Sequence, residues 1–533
     1  MVGKNPSLRI IGRAPAGEAS PDEGKHTTKT ILFVALMICV SIARTRHKHV
    51  IAEHRHLADS GVKLVELRLD YIGREVNLSR LIKAPPTPLV VTIRRREDGG
   101  RWVGTELERQ MLLRAAIVAG AEYIDLEMDI AGSIPRYGKT KRIVSYHNFA
   151  ETPKELEELH AEMASKDADI VKLATMATTF NDNVRMIDLV RKSKIPTIGI
   201  CMGEMGMVTR ILATRIGSPF TFATVSSERK IAPGQISYSL MRNLYRVDEI
   251  DPNTILLGVV ADPVAHSLSP LIHNSALHAA GIDARYLPFR VPPEDLNAFI
   301  CACIGLGIRG LSITIPHKER AISYCSRVEA AANNIGAINT MIFDASERIG
   351  YNTDYRAAMD CINAAYQQSE IAGSPEHQGR RVLILGAGGV ARAIAWGMKQ
   401  RGAEVIVASR TYDRALQLAH EIGARAVRWE DRHEARPQLL VNGTPVGMHP
   451  DVNECPVEPG FMNNLMVVFD TIYNPESTML VKHARNAGAK VITGVDMFVR
   501  QAAYQFKLFT NREADVSLMR DSIKLATSPV KHN

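Results

Sequence analysis

The sequence predicts an α/β protein: an eightfold strand–helix alternation that fits a (β/α)8 barrel, followed by a second α/β region carrying a dinucleotide-binding unit. Three observations support this. Short apolar, β-branched runs recur at 37–42, 62–69, 88–93, 122–127, 141–146, 169–174, 196–201 and 219–223, each followed by a more polar stretch. A later apolar run ends in Gly386-Ala387-Gly388-Gly389 and passes into an Ala-rich helical pattern. The strand pattern after that helix ends in Ser409-Arg410-Thr411, where a carboxylate could have stood.

Bulk properties narrow the function classes. A chain of 533 residues is too long for one core. Its charge of +8 suits anionic small molecules, but it is dispersed, and no basic run interleaved with aromatics predicts nucleic-acid binding. The seven cysteines (39, 201, 301, 303, 325, 361 and 455) are odd in number and lack paired metal spacings. They read as reduced thiols in a cytoplasmic protein that requires no metal.

Residues 1–30 lack apolar periodicity and read as a disordered tail. The stretch from Lys29 to Ala43 imitates a secretory signal, with Ser41-Ile42-Ala43 as its cleavage site. It is too short to span a bilayer, and a helical pattern (Val50 to Ala58) and a second strand follow at once. Met37 to Ile42 is therefore read as a buried first strand, and no membrane association is expected.

Helical patterns at 106–119, 153–166 and 181–192 separate the later strands. The alternation also permits an open doubly wound sheet. Ionisable residues at the strand ends favour the barrel: Glu66, Arg68 and Asp70, Arg94, His147, Lys172 within the sixth run, then Met202 and Arg210 near the seventh. In a barrel these ends converge on one mouth. Buried charge without a purpose is costly. A lysine within Ile170-Val171-Lys172-Leu173, near other cations, would be biased towards the neutral amine that attacks a ketone, and a histidine could move the protons. That is Schiff-base lyase chemistry.

After Asp251-Pro252 a new unit begins. Residues 256–270 read as a strand, a turn with Ser267 and Ser269, and the start of a helix. Residues 310–319 form a strand ending in Pro316-His317-Lys318, and Asn339, Asn352 and Asp354 stand at further strand or loop ends. In the glycine turn, residues without side chains let backbone N–H groups approach a pyrophosphate. Arg410 and Arg414 would pair with a 2′-phosphate, so NADP(H) is the expected cofactor. The segment Gly494 to Phe506 reads as a helix returning to the earlier unit.

Residues 37–248 resemble type I 3-dehydroquinate dehydratase through Val65-Glu66-Leu67-Arg68-Leu69-Asp70, Thr92-Ile93-Arg94, Ser145-Tyr146-His147-Asn148-Phe149, Val171-Lys172, Met202-Gly203 and Ala232-Pro233-Gly234-Gln235. The resemblance implies a (β/α)8 barrel in which Lys172 forms the imine and His147 is the general acid/base. It makes Glu66 a support for His147, and Ser41, Arg68, Arg94, Arg210 and Gln235 the grip on substrate. Ile231 replaces a serine often found in the last motif, and Asp98 replaces a glutamate.

Residues 255–525 resemble shikimate dehydrogenase through Ser267-Leu268-Ser269, Thr314-Ile315-Pro316-His317-Lys318, Ile338-Asn339-Thr340, Asn352-Thr353-Asp354, the glycine turn and Gln501. The resemblance implies a substrate domain at 255–370, completed by 491–525, and a Rossmann NADP domain at 378–490. Lys318 and Asp354 become the proton-transfer pair, and Ser267, Ser269, Thr314, Asn339, Tyr473 and Gln501 bind substrate, with Asn442 and Thr444 in the cleft. The cofactor would be held by Gly386, Ala387, Gly388, Gly389, Ser409, Arg410, Thr411, Arg414 and Gly494. Departures are Ser409 for asparagine, Tyr355 beside Asp354, which bears on substrate size, and Asp496 in a usually Gly-rich turn.

Together the resemblances imply dehydration of 3-dehydroquinate to 3-dehydroshikimate, then NADPH-dependent reduction to shikimate. A quinate-directed dehydrogenase with a vestigial lyase half is one alternative. A regulator built from degenerate copies of these folds is another, but it would have lost the catalytic lysines, and Lys172 and Lys318 are both present.

Overall fold

The computed structural model describes residues 37–367 and 377–527. The expected tail and the first part of the signal-like stretch lie outside them. The expected first strand is present: β1 (Met37–Ile42), β2 (Leu64–Arg68), β3 (Leu89–Thr92), β4 (Tyr123–Glu127), β5 (Lys141–Asn148), β6 (Ile170–Met176), β7 (Thr197–Met202) and β8 (Phe220–Thr224) form one sheet. Its order is β7-β6-β5-β4-β3-β2-β1-β8, so β1 lies between β2 and β8 and every recorded ladder is parallel. This is a near-closed barrel, and the doubly wound alternative falls.

Side chains alternate across a strand, so each strand sends every second residue inward. Cys39, Leu64, Val90, Tyr123, Ile143, Ile170, Ile198 and Phe220 meet as an apolar floor inside the barrel. Their neighbours Val40, Val65, Val91, Ile124, Val144 and Val171 face outward and pack in the larger core with the surrounding helices. Two residues beyond the floor, six strands turn polar: Ser41, Glu66, Thr92, Asp125, Ser145 and Lys172 are all buried. Capping boxes at Thr105 with Glu108 and at Thr179 with Asp182 start the helices Glu106–Val118 and Phe180–Lys192.

The next strands are β9 (Ile255–Ala261), β10 (Ala284–Arg290), β11 (Ile308–Ile313), β12 (Arg327–Val328), β13 (Thr340–Asp344) and β14 (Glu347–Tyr351), ordered β10-β9-β11-β13-β14-β12. β13 runs antiparallel to both of its neighbours. The last six are β15 (Arg381–Leu385), β16 (Glu404–Ala408), β17 (Arg425–Val427), β18 (Leu439–Asn442), β19 (Val467–Asp470) and β20 (Lys490–Ile492). They form a parallel sheet ordered β17-β16-β15-β18-β19-β20, the doubly wound order of a dinucleotide-binding fold. The helix Gly494–Thr510 returns as expected and packs Val495, Val499, Ala502 and Phe506 against Leu257 and Val259 of the second sheet.

The barrel meets the second sheet through aromatic packing. Phe180 sits edge-on to Phe299 at 4.7 Å and near Phe289 at 6.2 Å, and its N–H donates to Asp295. Glu204, in the turn after β7, accepts from Val264 N and pairs with Arg290, which also holds Asp262. Among the described residues, no helix is long and apolar enough to cross a membrane.

Burial lowers His54 to about 4 and His273 to about 3. In the unfolded chain each would titrate near its ordinary value of about 6.5. Below that pH the unfolded state binds more protons, so stability rises with pH through this window and falls on acidification. Thermal midpoints should therefore drop between about pH 6.5 and pH 4. A midpoint that stays level across that range would show that the buried histidines are protonated in the fold.

Two candidate active sites

The polar layer above the barrel floor forms the first site. Lys172 Nζ lies 2.8 Å from Asp125 Oδ2 and 4.1 Å from the centre of the Phe222 ring. Asp125 Oδ1 accepts from Arg94 Nη2 at 2.7 Å and from Ser145 Oγ at 2.6 Å. Arg94 also reaches Glu127 at 2.7 Å, and Glu127 in turn receives Arg109 at 2.7 Å. Burial would raise the Asp125 carboxyl, but Arg94 and Lys172 outweigh it and hold the group far below the usual carboxylate range.

His147 stands two residues beyond Ser145 on β5, on the same face, and lines the pocket with Lys172. Burial, with Arg94 and Lys172 as neighbouring cations, lowers it well below its ordinary value. Its ring is therefore neutral at physiological pH, and Nδ1 is buried without a hydrogen-bond partner. Such a group can accept or deliver a proton.

Ser41, Glu66, Arg68, Arg94, Arg210 and Gln235 line the same pocket, with Asp98 and Ile231. Glu66 does not take the place expected for it. It accepts from Ser41 Oγ and from Thr92 Oγ1, because β1 and β3 flank β2, whereas His147 projects from β5. Arg68 is held by both oxygens of Asp70 at 2.9 and 2.8 Å. Gln235 Oε1 accepts from Ile231 N and Ala232 N, which shapes the loop over the pocket, so Ile231 contributes backbone there. Gly234 has a φ of +72° and touches the Gly203 carbonyl so closely that a Cβ would stand 2.2 Å from its oxygen.

Arg210 is the outlier of the layer. It is 2% exposed, its Nε has no hydrogen-bond partner, and burial lowers it to about 10. Among the described residues no carboxylate forms an ion pair with it. A buried guanidinium without a counter-ion suits an anionic ligand.

The second site follows from the antiparallel β13. Its direction brings Asn339 to the end where β9, β11 and β14 finish, so the loops carrying Ser267 and Ser269, Thr314 to Lys318, and Asn352 to Asp354 all gather there. Lys318 Nζ lies 2.6 Å from Asp354 Oδ2, with 12% and 6% of the two side chains exposed. Asn339 Oδ1 accepts from Thr353 N at 2.8 Å, and its Nδ2 approaches Gln501 Oε1 at 3.4 Å. Ser269 N donates to Ser267 Oγ at 3.3 Å. Tyr473 stacks on Phe498 at 4.3 Å, one helical turn before Gln501. Tyr355 packs edge-on to Trp396 at 5.0 Å and its hydroxyl accepts from Arg401, so its ring belongs to the nucleotide-side helix and not to a substrate pocket. Asp496 is absorbed by a capping box with Thr493 and by an ion pair with Arg520.

The glycine turn fits a dinucleotide. Gly386 has a φ of +101°, and a Cβ there would meet the Gly443 carbonyl oxygen at 2.7 Å. Gly388 faces open space, and the helix Gly389–Gln400 begins behind it. Gly389 touches the Lys318 side chain, which brings the turn against the proposed catalytic lysine. Ser409, Arg410 and Thr411 follow β16, and Arg410 is exposed with no ion pair among the described residues. Arg414 differs: it reaches Glu319 at 3.0 Å and the Ala387 carbonyl at 3.4 Å. Gly494 starts its helix against the Ile472 carbonyl, where a Cβ would stand at 2.1 Å, so close backbone packing accounts for it.

The sequence reading missed Asp125, Glu127 and Ser145 in the barrel and Gln505 in the second half. Gln505 receives Ser312 Oγ at 2.7 Å and donates to the Asn339 carbonyl. Signals existed: Asp125 and Glu127 alternate within the apolar run Tyr123-Ile124-Asp125-Leu126-Glu127, and Gln505 is one helical turn beyond Gln501. Among the described residues, no group of three or more His, Cys, Asp or Glu is placed to hold a metal ion.

Comparison with known proteins covers both halves. Residues 38–252 match the family model described as type I 3-dehydroquinase. Residues 259–341 match the shikimate dehydrogenase substrate binding domain, 368–438 the shikimate / quinate 5-dehydrogenase model and 494–524 the shikimate 5′-dehydrogenase C-terminal domain. The bifunctional 3-dehydroquinate dehydratase/shikimate dehydrogenase, chloroplastic, of Arabidopsis thaliana is 36% identical over 504 residues, covering 90% of this chain and 83% of that one. The shikimate dehydrogenase (NADP(+)) of Methanopyrus kandleri is 39% identical over 286 residues, covering 51% of this chain and 96% of its own. A shikimate 5-dehydrogenase of Thermus thermophilus, solved with NADP(H) and shikimate, is 34% identical with a TM-score of 0.46, over 51% of this chain and 98% of that one. With both halves matched in one chain, and a relative aligned along most of its length, this protein belongs to the bifunctional 3-dehydroquinate dehydratase/shikimate dehydrogenase family.

Proposed function

We propose that the two sites act in sequence on one carboxylic acid, with Lys172 forming an imine to 3-dehydroquinate and Lys318 serving the NADPH-linked reduction of the resulting 3-dehydroshikimate. The observation that carries the first assignment is the pocket shared by Lys172, a neutral His147 and the unpaired guanidinium of Arg210. Arg210 takes the substrate carboxylate, Gln235 closes the loop above it, and His147 moves the proton from the carbon beside the imine to the departing hydroxyl. Glu66, fixed by Ser41 and Thr92, is an acceptor for a substrate hydroxyl.

In the second half, Ser267, Ser269, Asn339 and Gln501 orient the ring acid, with Thr314 and Tyr473 beside them. When bound at the glycine turn, NADPH supplies hydride. Lys318, desolvated against Gly389 and paired with Asp354, then donates the proton to the developing alkoxide and stabilises its charge. Arg410 is the free cation for the 2′-phosphate, with Arg414 joining it once released from Glu319. Neither half of this scheme uses a metal, nucleic acid or membrane. A cytoplasmic setting accords with seven cysteines that are all free.

The purified chain, given 3-dehydroquinate, should build enone absorbance without NADPH and consume NADPH when it is added. Lys172→Ala should abolish the first signal and leave reduction of supplied 3-dehydroshikimate intact, because the sites stand on different sheets. Borohydride should attach substrate at Lys172, and attachment at another lysine would overturn the assignment.

Replacing Arg410 with Asp should raise the NADPH KM about tenfold to a hundredfold and the NADH KM far less. Equal losses with both cofactors would place Arg410 outside the phosphate site. Lys318→Ala should lower kcat for reduction by about 10²–10⁴-fold with a smaller change in KM. A change confined to KM would make Lys318 a binding residue only.

A further inference from the structure

Asp125 is the barrel residue with the least freedom and no assigned role. Its side chain has no exposed surface, and both oxygens are committed: Oδ2 to Lys172 Nζ at 2.8 Å, and Oδ1 to Arg94 at 2.7 Å and Ser145 Oγ at 2.6 Å. Packing alone does not account for a carboxylate here, since a buried ion pair is often no more stabilising than apolar residues of similar volume. Its place against the reacting nitrogen does account for it.

We propose that Asp125 is a catalytic residue of the dehydratase half, the fixed anion that pairs with Lys172 Nζ first as ammonium and then as protonated imine. The balance of the imine-forming step explains why one anion serves both ends. Lys172 enters with three protons and one positive charge. His147 first takes one proton from Nζ, and the lone pair so freed forms the Nζ–C bond as the carbonyl π pair moves to oxygen. Two of the three protons pass to that oxygen, the C–O bond breaks and water leaves. The nitrogen keeps one proton and one positive charge, so the charge opposite Asp125 is the same before and after.

Asp125 is not the carrier of those protons. Arg94 and Lys172 keep it ionised, whereas the buried His147 is neutral and lines the same pocket. Proton traffic falls to His147 and charge pairing to Asp125. Ser145 fixes the rotation of the carboxylate, and Arg94 prevents it from following the substrate.

This inference rests on Lys172 being the imine-forming lysine, and the test separates the two. Asp125→Asn keeps the shape and removes the charge. In the full chain it should lower the dehydratase kcat by about a hundredfold or more, with KM within about threefold. Borohydride trapping at Lys172 should slow in proportion, and NADPH-dependent reduction of 3-dehydroshikimate should be unchanged, reporting an intact chain. A dehydratase kcat within about threefold of the parent, or a loss confined to KM, would overturn the role of Asp125 while trapping at Lys172 still stood. Trapping elsewhere would overturn the lysine assignment itself. Should Asp125→Asn fail to fold its barrel, Ser145→Ala decides: it keeps the charge and removes one of the two bonds that hold Oδ1, and kcat should fall by about three- to tenfold with KM unchanged. An unaltered kcat in Ser145→Ala would then refute the proposal.

Discussion

Charge inside the barrel has to be neutralised by side chains, because water is largely excluded from the layer above the floor. Asp125 is where that neutralisation centres: one carboxylate, wholly buried, joins Lys172 from β6, Arg94 from the end of β3 and Ser145 from β5. Glu127 extends the network to Arg109 on an outer helix. Losing Asp125 would leave the buried Lys172 without its counter-ion, at about 3–5 kcal/mol, whereas Arg94 would keep Glu127. The two groups left without a full set of partners, Arg210 Nε and His147 Nδ1, stand out against a layer that is otherwise satisfied.

The second half solves a different problem with a similar pair. Lys318 and Asp354 are slightly exposed, and the methylene stem of the lysine packs against the first residue of the nucleotide-side helix. Both sites therefore pair a lysine with an aspartate. What separates their chemistry is the surroundings. Around Lys172 the strand ends close over an apolar floor, with a neutral imidazole and an unpaired guanidinium at hand. Around Lys318 lies a cleft between two sheets, where a cofactor can lie against a substrate.

That cleft depends on one reversal of direction. In a wholly parallel sheet, the residues just before a strand and those just after its neighbour lie at opposite ends. Because β13 is antiparallel, Asn339 joins the loops after β9, β11 and β14, and Gln501 and Gln505 reach it from the returning helix. Tyr355 then braces the nucleotide-side helix through Trp396 and Arg401, which couples the aspartate-bearing segment to the cofactor unit.

The sequence alone determined the eightfold alternation of strands and helices, because both patterns are local properties of the chain, whereas the pairing of β1 with both β2 and β8 decided for the barrel over an open sheet. It determined the glycine turn for the same reason: Gly386 is required by a positive φ and a close backbone contact that any other residue would strain. It also brought Lys172, His147, Arg210 and Gln235 to one mouth, since strand ends in a barrel converge. Tertiary structure alone decided the pairings. Glu66 turns to Ser41 and Thr92 because hydrogen-bonded neighbours on adjacent strands are nearer than a residue three strands away. Arg414 meets Glu319 from a different sheet, 95 positions earlier in the chain. Asp125 reads in sequence as one acid in an apolar run. Only the closing of β4, β5 and β6 around a shared interior places it against Lys172, because which charges neutralise one another is set by distance through space and not by spacing along the chain.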